Sequence, residues 1–489
     1  MRRQSSRLAR HEDSWLVARS ARVRPTAADR FLRTLSMSAD HSRLWMVVAA
    51  LMSMDGRAPR RAAVRGLVSV ALASSVANGI AKPLFPRRRP PDESVPFVRR
   101  LVKPPVSSSF PSGHSASAAA FATGVALESP AAAVIVAPIA VAVGYSRVHI
   151  GVHWPSDVIV GGAMGAAIAL GTRRWWAQRD DEPAELGPHQ RITPIHNGFG
   201  LLLVINPGAG GGTGSEQLRL LHEKVPAAEF LTMTDDLIAQ LEERVARDDI
   251  VALGVFGGDG TVSAVAAAAV EYRLPLAVFA GGTLNHFARD TGVECLEHTL
   301  AALESGDAVR TDTAEVRSDG LDRRTFVNTA SLGGYPDFVR LRERWEPRLG
   351  KWPAAGIAMM RVLFRAQPLP TTIDGTRTAI WMLFVGNGHY RPAHQIPMSR
   401  PALHHGALDI RYLRADLRFS RTRLIWATLT GTLDRSATYV NRRADRLTVH
   451  VEDGPIALAT DGEVDFRGDD FTFTSRPATL TLLHRSEPS

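Results

Sequence analysis

Three short clusters between residues 82 and 157 carry side chains suited to phosphate chemistry. The first, "KPLFPRRRP", holds Lys82 and Arg89. The second, "PSGH", holds Ser112, Gly113 and His114, and the third, "SRVHIGVHWPSD", holds Arg147, His153 and Asp157. Lys82, Arg89 and Arg147 can neutralise phosphate oxygens, while the Ser112 hydroxyl and the Gly113 amide can donate further hydrogen bonds. One histidine can attack phosphorus and the other can protonate the leaving oxygen. Asp157 follows His153 by one helical turn, where a carboxylate can orient an imidazole. This set needs no metal. Each part alone has a plainer reading: PSGH as a turn and cap, PRRRP as an interfacial anchor, the His153–Asp157 spacing as an exposed helical pair. Their occurrence together, each at the end of an apolar segment, favours chemistry. Lys82 adds weight, because the chain uses arginine almost everywhere and its only lysines are Lys82, Lys103, Lys224 and Lys351.

A second constellation lies further on. The buried-type strand "IVALGVF" delivers Gly257, Gly258, Asp259, Gly260 and Thr261 to a sheet edge, and the next strand, "PLAVFA", delivers Gly281, Gly282, Thr283 and Asn285. Glycines let a backbone approach phosphates closely, and Asp259 can bind Mg2+ or accept a hydroxyl proton. The glycine-rich "PGAGGGTGS" that follows Asn206 lacks the Gly-Lys-Ser/Thr of a P-loop and reads as a strand–helix turn.

The elements that must position these residues change character along the 489-residue chain. Uncharged, Ala/Gly/Val-rich segments at 44–54, 66–81, 115–127, 131–145 and 158–172 read as membrane helices, although each is shorter than a clean span. Arg173, Arg174, Trp175 and Trp176 close the last of them like a cytoplasmic helix end with an aromatic belt. A linker follows, then from Phe199 strands alternate with helices, which implies a parallel sheet. Beyond about residue 310 the period falls toward two, as in an antiparallel sheet or sandwich, interrupted by a more helical stretch at 338–365. The net charge of +9 is dispersed arginine with no basic stripe among aromatics, which argues against nucleic acid as a partner. Cys295 is the only cysteine, so no intrachain disulfide forms.

The first three clusters resemble the type 2 phosphatidic acid phosphatase family: Lys82, Arg89 and Pro90; then Pro111, Ser112, Gly113 and His114; then Ser146, Arg147, His153 and Asp157. The resemblance spans roughly residues 60 to 172. It implies that His153 is the nucleophile forming a phosphohistidine, held by Asp157, and that His114 is the acid for the leaving group. Family substrates are lipid phosphates and pyrophosphates. Residues 199 to 483 resemble the diacylglycerol kinase catalytic family, on Asn206 and Pro207, Gly257–Thr261, Gly281, Gly282, Thr283, Asn285, Phe287 and Ala288, Asp312 in "DTAEV", and Asp461, Gly462 and Glu463 in "TDGE". This implies ATP and Mg2+, with metal contacts at Asp259 and Asp312 and either Asp461 or Glu463 as base. The family's Asp is replaced here by His286, and an acidic pair by His404 and His405.

The expected fold is therefore multidomain. A basic N-terminal region (1–60) precedes an α-helical membrane phosphatase bundle (61–172), a linker (173–198), an α/β ATP-binding domain (199–311) and an antiparallel β-sandwich domain (312–489). The expected function is a bifunctional membrane lipid enzyme, a metal-independent lipid phosphatase joined to an ATP- and Mg2+-dependent lipid kinase. The alternative keeps the phosphatase and makes the kinase-like half a lipid-sensing regulatory module. With Arg173 and Arg174 inside, the phosphatase site faces outward from a multi-pass membrane unit, and the kinase half lies in the cytoplasm.

Overall fold

Small residues decide how the N-terminal part packs. The computed structural model describes residues 13–17, 19, 26–101, 105–174, 176, 183–209, 214–234, 236–247, 249–282, 285–293, 295–319, 321–334, 341, 345, 361, 367–393, 397 and 399–485. Thr283, Trp175, residues 210–213 of the glycine-rich loop and most of the stretch 338–365 lie outside that set. The chain divides into two compact units, residues 1–179 and 180–489.

In the first unit the helix Gly113–Glu128 is central. It buries Ser115, Ala116, Ser117, Ala118, Ala120, Phe121, Gly124 and Val125, and packs against Arg57–Ser75, Pro130–His149 and Pro155–Gly171. Glycine sets the closest approach. A Cβ on Gly161 would fall 2.4 Å from the Ser112 carbonyl oxygen, and one on Gly165 2.0 Å from that of Ala116. The outer faces carry the large apolar groups: Ile135, Val141 and Ile159 are each about 70% exposed. Small residues inside and branched apolar residues outside is the arrangement of helices solvated by lipid.

The apolar segments gain length from their flanks. Ala58–Leu84 spans 27 residues, continuing through a π-helical stretch at Val76–Ala81, while Pro130–His149 and Pro155–Arg174 span 20 each. Among the described residues these three helices are long and apolar enough to cross a membrane. The N-terminal region contributes the helices Ala27–Ser38 and Arg43–Met52. Trp45 is fully buried, with its ring 5.0 Å from that of Phe121, and Ala27–Ser38 packs on Pro130–His149.

The second unit has four parallel strands in the spatial order Leu276–Ala280, Ala252–Gly257, Leu201–Ile205, Glu229–Thr232. The central strands are apolar at every position, as expected where helices cover both faces. The antiparallel strands that follow share one core, including Phe326, Leu332, Leu383, Ile410, Val449, Phe471 and Phe473. One strand joins the two layers. Asp470–Leu483 pairs antiparallel with Asp307–Ser318 and touches the parallel sheet at Leu482↔Leu276. Its Phe471 and Phe473 lie in the β-rich core, and its Leu480 and Leu482 in the α/β core. Asp307–Ser318 runs continuously through residue 311, where the sequence reading placed a boundary.

Candidate active sites

The PSGH turn is fixed from both sides. Ser112 caps the central helix, its Oγ accepting from the Ser115 amide at 3.4 Å and from Ser115 Oγ at 3.0 Å. The Ser112 amide donates to the Asp157 carbonyl oxygen at 3.0 Å, tying this turn to the start of the last apolar helix. There Pro155 occupies the first helical turn, and Asp157 Oδ2 accepts from the Trp154 amide at 2.9 Å. Asp157 thereby holds the turn that carries His153.

The clusters converge. His153 is buried, with Nδ1 3.5 Å from Asp157 Oδ2, longer than a normal hydrogen bond, and Nε2 3.3 Å from Arg89 Nη1. Arg89 is anchored by carbonyl oxygens, donating to Val152 at 2.6 Å, Ser107 at 3.0 Å and Ser108 at 3.3 Å. Lys82 Nζ donates to Asn78 Oδ1 at 2.8 Å, and a Cβ on Gly113 would lie 3.3 Å from that same oxygen. His114 Nε2 lies 2.7 Å from Asp40 Oδ1, and Arg147 Nη1 donates to Ser36 Oγ at 2.5 Å. Burial pushes the His153 imidazole down to about 4, so it is neutral near pH 7.

At the far ends of the same helices sits a different ion cluster. Fully buried Arg65 donates to Thr172 Oγ1 at 3.1 Å, to Glu128 Oε1 at 2.5 Å and to the Trp176 carbonyl oxygen. Glu128 closes the helix that His114 opens, so the two clusters are separated by the length of that helix, about 24 Å at 1.5 Å per residue.

In the second unit the ends of the parallel strands bring the glycine motifs side by side. A Cβ on Gly282 would fall 2.6 Å from Gly258 Cα, so position 282 excludes a side chain. The Gly281 amide donates to the Gly257 carbonyl oxygen at 3.0 Å, and the Gly282 amide to Asn285 Oδ1 at 2.8 Å. Asn206 Nδ2 donates to Thr261 Oγ1 at 3.0 Å. Asp259 opens the helix Asp259–Tyr272, and its Oδ1 accepts from the Phe287 amide at 3.2 Å. The amides at this helix start suit an anion.

The C-terminal carboxylates return to this edge. The Asp461 oxygens accept from the Val327, Asn328 and Thr329 amides, each at 2.8 Å, and from Ser263 Oγ on the Asp259–Tyr272 helix. Burial pushes the Asp461 carboxyl above its ordinary value, while these four donors favour the anion. Asp461 and Gly462 are both left-handed, with φ of 49° and 96°. The turn they make brings half-exposed Glu463 to Gly260: a Cβ there would lie 3.0 Å from Glu463 Oε1. Asp312 is placed elsewhere. Its Oδ1 accepts from the Ala478 amide at 2.8 Å and its Oδ2 from the Gly406 amide at 2.6 Å.

Residues 63–181 match the PAP2 superfamily, and residues 200–316 match the diacylglycerol kinase catalytic domain. A decaprenylphosphoryl-5-phosphoribose phosphatase from Mycobacterium tuberculosis is 38% identical over 141 residues, covering 28% of this chain and 73% of its own. A diacylglycerol kinase from the same species is 30% identical over 260 residues, covering 50% of this chain and 81% of its own. The chain belongs to both families. A crystal structure of a putative diacylglycerol kinase from Bacillus anthracis aligns with a TM-score of 0.44 at 22% identity, covering 59% of this chain and 98% of that one.

The chain thus fuses a PAP2-family lipid phosphatase domain to a diacylglycerol kinase-family lipid kinase domain, which implies use of ATP. In the PAP2 unit, sequence reasoning missed Asp40, Ser36, Asn78 and Arg87. Arg87 reaches Asp157 Oδ1 and Asp13 Oδ2, both at 2.7 Å. Only the "PRRRP" cluster hinted at Arg87; the other three lie outside every motif. In the kinase unit it missed Ser263 and the buried Arg400, which bonds Asp290 Oδ2 at 2.8 Å, the Val327 carbonyl oxygen at 2.6 Å and Asn328 Oδ1 at 2.8 Å. Arg400 braces the segment whose amides hold Asp461.

Among the described residues no group of three or more His, Cys, Asp or Glu side chains is arranged to hold a metal. Mg2+ in phosphoryl transfer needs less, one or two carboxylates plus substrate phosphates, and Asp259 beside the glycine loops fits that. Asp312 fits poorly, because both its oxygens already accept backbone amides.

Proposed function

We propose that this chain is a bifunctional membrane lipid enzyme: a metal-independent lipid phosphate phosphatase and an ATP-dependent kinase of a diacylglycerol-like or long-chain lipid hydroxyl. The observation that carries the phosphatase reading is the placement of His153 between Asp157 and Arg89. Asp157 faces Nδ1, which leaves Nε2, beside Arg89, as the atom that attacks phosphorus. The Nε2–P bond forms as the P–O bond to the lipid breaks, and His114 gives its proton to the leaving oxygen. Water then attacks phosphorus, its proton passes to His114, and the N–P bond breaks to release phosphate. Lys82, Arg89, Arg147, Ser112 and the Gly113 amide hold the phosphoryl oxygens through both steps.

In the kinase unit, Gly257–Thr261, Gly282, Thr283, Asn285 and Asn206 form the ATP site. Asp259 would hold Mg2+ against the phosphates, where the ion would neutralise charge on the transferred group. Glu463 is the base that takes the lipid hydroxyl's proton. Asp461, committed to four donors, positions Glu463 and the Asp259 helix. The relatives' names support lipid substrates of these kinds, a polyprenyl-linked phosphate for one half and a diacylglycerol for the other.

One feature of the first unit supports a reading of the membrane orientation. The chain leaves it from the Arg65–Glu128–Thr172 end, opposite the phosphate cluster. With the kinase half in the ATP-containing cytoplasm, the phosphatase site faces outward. A panel of lipid phosphates and lipid alcohols, assayed with and without ATP and Mg2+, tests the reading. Phosphate release unaffected by EDTA and lipid phosphorylation abolished by it are expected. Absence of lipid phosphorylation with the phosphatase intact would instead favour a regulatory kinase-like half.

A further inference from the structure

The PAP2 match begins at residue 63, yet the segment before it reaches all three phosphate clusters. Asp13 accepts from Arg87 Nη2 at 2.7 Å, and Arg87 Nη1 in turn holds Asp157. Asp29 Oδ1 lies 2.8 Å from Arg99 Nε and 2.6 Å from His149 Nε2, two residues beyond Arg147. Ser36 accepts from Arg147 itself. Asp40, in the short turn between Ala27–Ser38 and Arg43–Met52, lies 2.7 Å from His114 Nε2. Two polar side chains of one segment, Ser36 and Asp40, therefore meet residues on which the phosphatase reading depends, and Asp13 and Asp29 meet neighbours of those residues.

We propose that Asp40 is a positioning residue for His114, giving the proton donor of the phosphatase its own carboxylate partner, as Asp157 serves the nucleophile His153. The inference rests on the reading of His114 as the leaving-group acid. With Nε2 bonded to Asp40, the imidazole ring is fixed in tautomer and direction, and Nδ1 is the atom that gives its proton to the leaving oxygen. Asp40 itself never receives that proton.

The surroundings of His114 explain why such a partner is needed. Burial, and then the charges of Arg147 and Lys82, oppose protonation of the imidazole, whereas the contacting Asp40 carboxylate favours it. The contact also leaves its mark on Asp40, whose carboxyl the bonded His114 holds below the usual carboxylate range. Helix packing delivers this carboxylate. Trp45, buried against Phe121, docks the Arg43–Met52 helix on the helix that His114 opens. Asp29 and Ser36 fix the preceding helix to His149 and Arg147. The turn carrying Asp40 lies between the two fixed helices.

A general acid matters when the leaving group is a poor one and matters little when it is stable as an anion. Full-length protein in detergent micelles would be assayed on hexadecyl phosphate, which leaves as an alkoxide, and on 4-nitrophenyl phosphate, which leaves as a stabilised aryloxide. Asp40→Asn is expected to lower kcat/KM, which reports the steps through phosphohistidine formation, on hexadecyl phosphate by about 10- to 100-fold, at the low end of general acid catalysis. On 4-nitrophenyl phosphate its kcat/KM, which excludes the later His114-assisted hydrolysis of the phosphohistidine, should stay within about threefold of wild type, the small effect expected where no acid is needed. Asp40→Glu should recover part of the loss. His114→Ala should show the same substrate pattern, more strongly. If His114→Ala loses both substrates equally, the acid assignment of His114 fails. If His114→Ala discriminates between substrates while Asp40→Asn is unchanged, is faster, or loses both equally, the positioning role of Asp40 is overturned and the carboxylate is structural or inhibitory.

Discussion

His153 Nε2 lies 3.3 Å from Arg89 Nη1, and Arg89 is itself held by three carbonyl oxygens, those of Val152, Ser107 and Ser108. A guanidinium can satisfy these acceptors and still present an N–H edge at the nucleophile, because its donors are spread over a rigid plane. A lysine ammonium cannot. Arg89→Lys is expected to lower kcat/KM for lipid phosphate by at least about tenfold, comparable to losing one charge-assisted hydrogen bond in the transition state. Retention of full activity would show that Arg89 only braces the loop.

The acid limb of the phosphatase pH profile provides a second test. His153 must be neutral to attack, and burial holds its imidazole down to about 4 rather than the usual 6.5. Neutral His153 therefore persists as pH falls through 6.5 and is lost only as pH falls through about 4. The kcat/KM profile should keep its plateau to about pH 5 and then fall. A limb centred near the ordinary histidine value would mean that His153 is better solvated than this packing implies.

Helix packing should be visible in activity. The Cβ of Gly161→Ala would stand 2.4 Å from the Ser112 carbonyl oxygen, so the last helix must move away from the PSGH turn. Overpacking of this kind costs about 1–3 kcal/mol. Phosphatase activity and melting temperature should both fall. Gly171→Ala, whose Cβ would meet nothing within 4 Å, should change neither. Equal behaviour of the two variants would contradict the close approach.

The C-terminal carboxylates should separate by role. Asp461→Asn puts amide hydrogens against backbone amides that already donate, leaving at least one unsatisfied at about 1–3 kcal/mol. It should destabilise the protein and lower kinase activity together. Glu463→Gln should lower kcat for lipid phosphorylation by about 100-fold, typical of a lost general base, with melting unchanged. A stable, fully active Glu463→Gln would return the base assignment to Asp461.

The short motifs were legible in the sequence because phosphate chemistry needs particular residue types at fixed local spacings. His153 and Asp157 lie one turn apart, and the glycine loops each follow a strongly apolar strand. Helix lengths were underestimated, since Arg61 and Arg65 are charged in sequence yet helical in the fold, where both meet Glu128 and Arg65 also meets Thr172. The period of two beyond residue 310 did not show that Asp470–Leu483 is one long strand, continuing past a register shift between Arg476 and Leu480. Partners distant in sequence were invisible. Asp40 and His114, Ser263 and Asp461, Arg400 and Asn328 are brought together only by packing, and none belongs to a local pattern with its partner.

Separation of the two chemistries by single substitutions tests the central claim most directly. Full-length protein in lipid–detergent micelles would be given labelled ATP with diacylglycerol, and separately a labelled lipid phosphate. His153→Ala should abolish phosphate release and let the phosphorylated lipid accumulate, while Asp259→Ala should abolish transfer from ATP and leave phosphate release unchanged. Loss of both activities in either variant, or transfer from ATP in neither the wild type nor His153→Ala, would contradict a chain that carries two independent lipid-phosphate active sites.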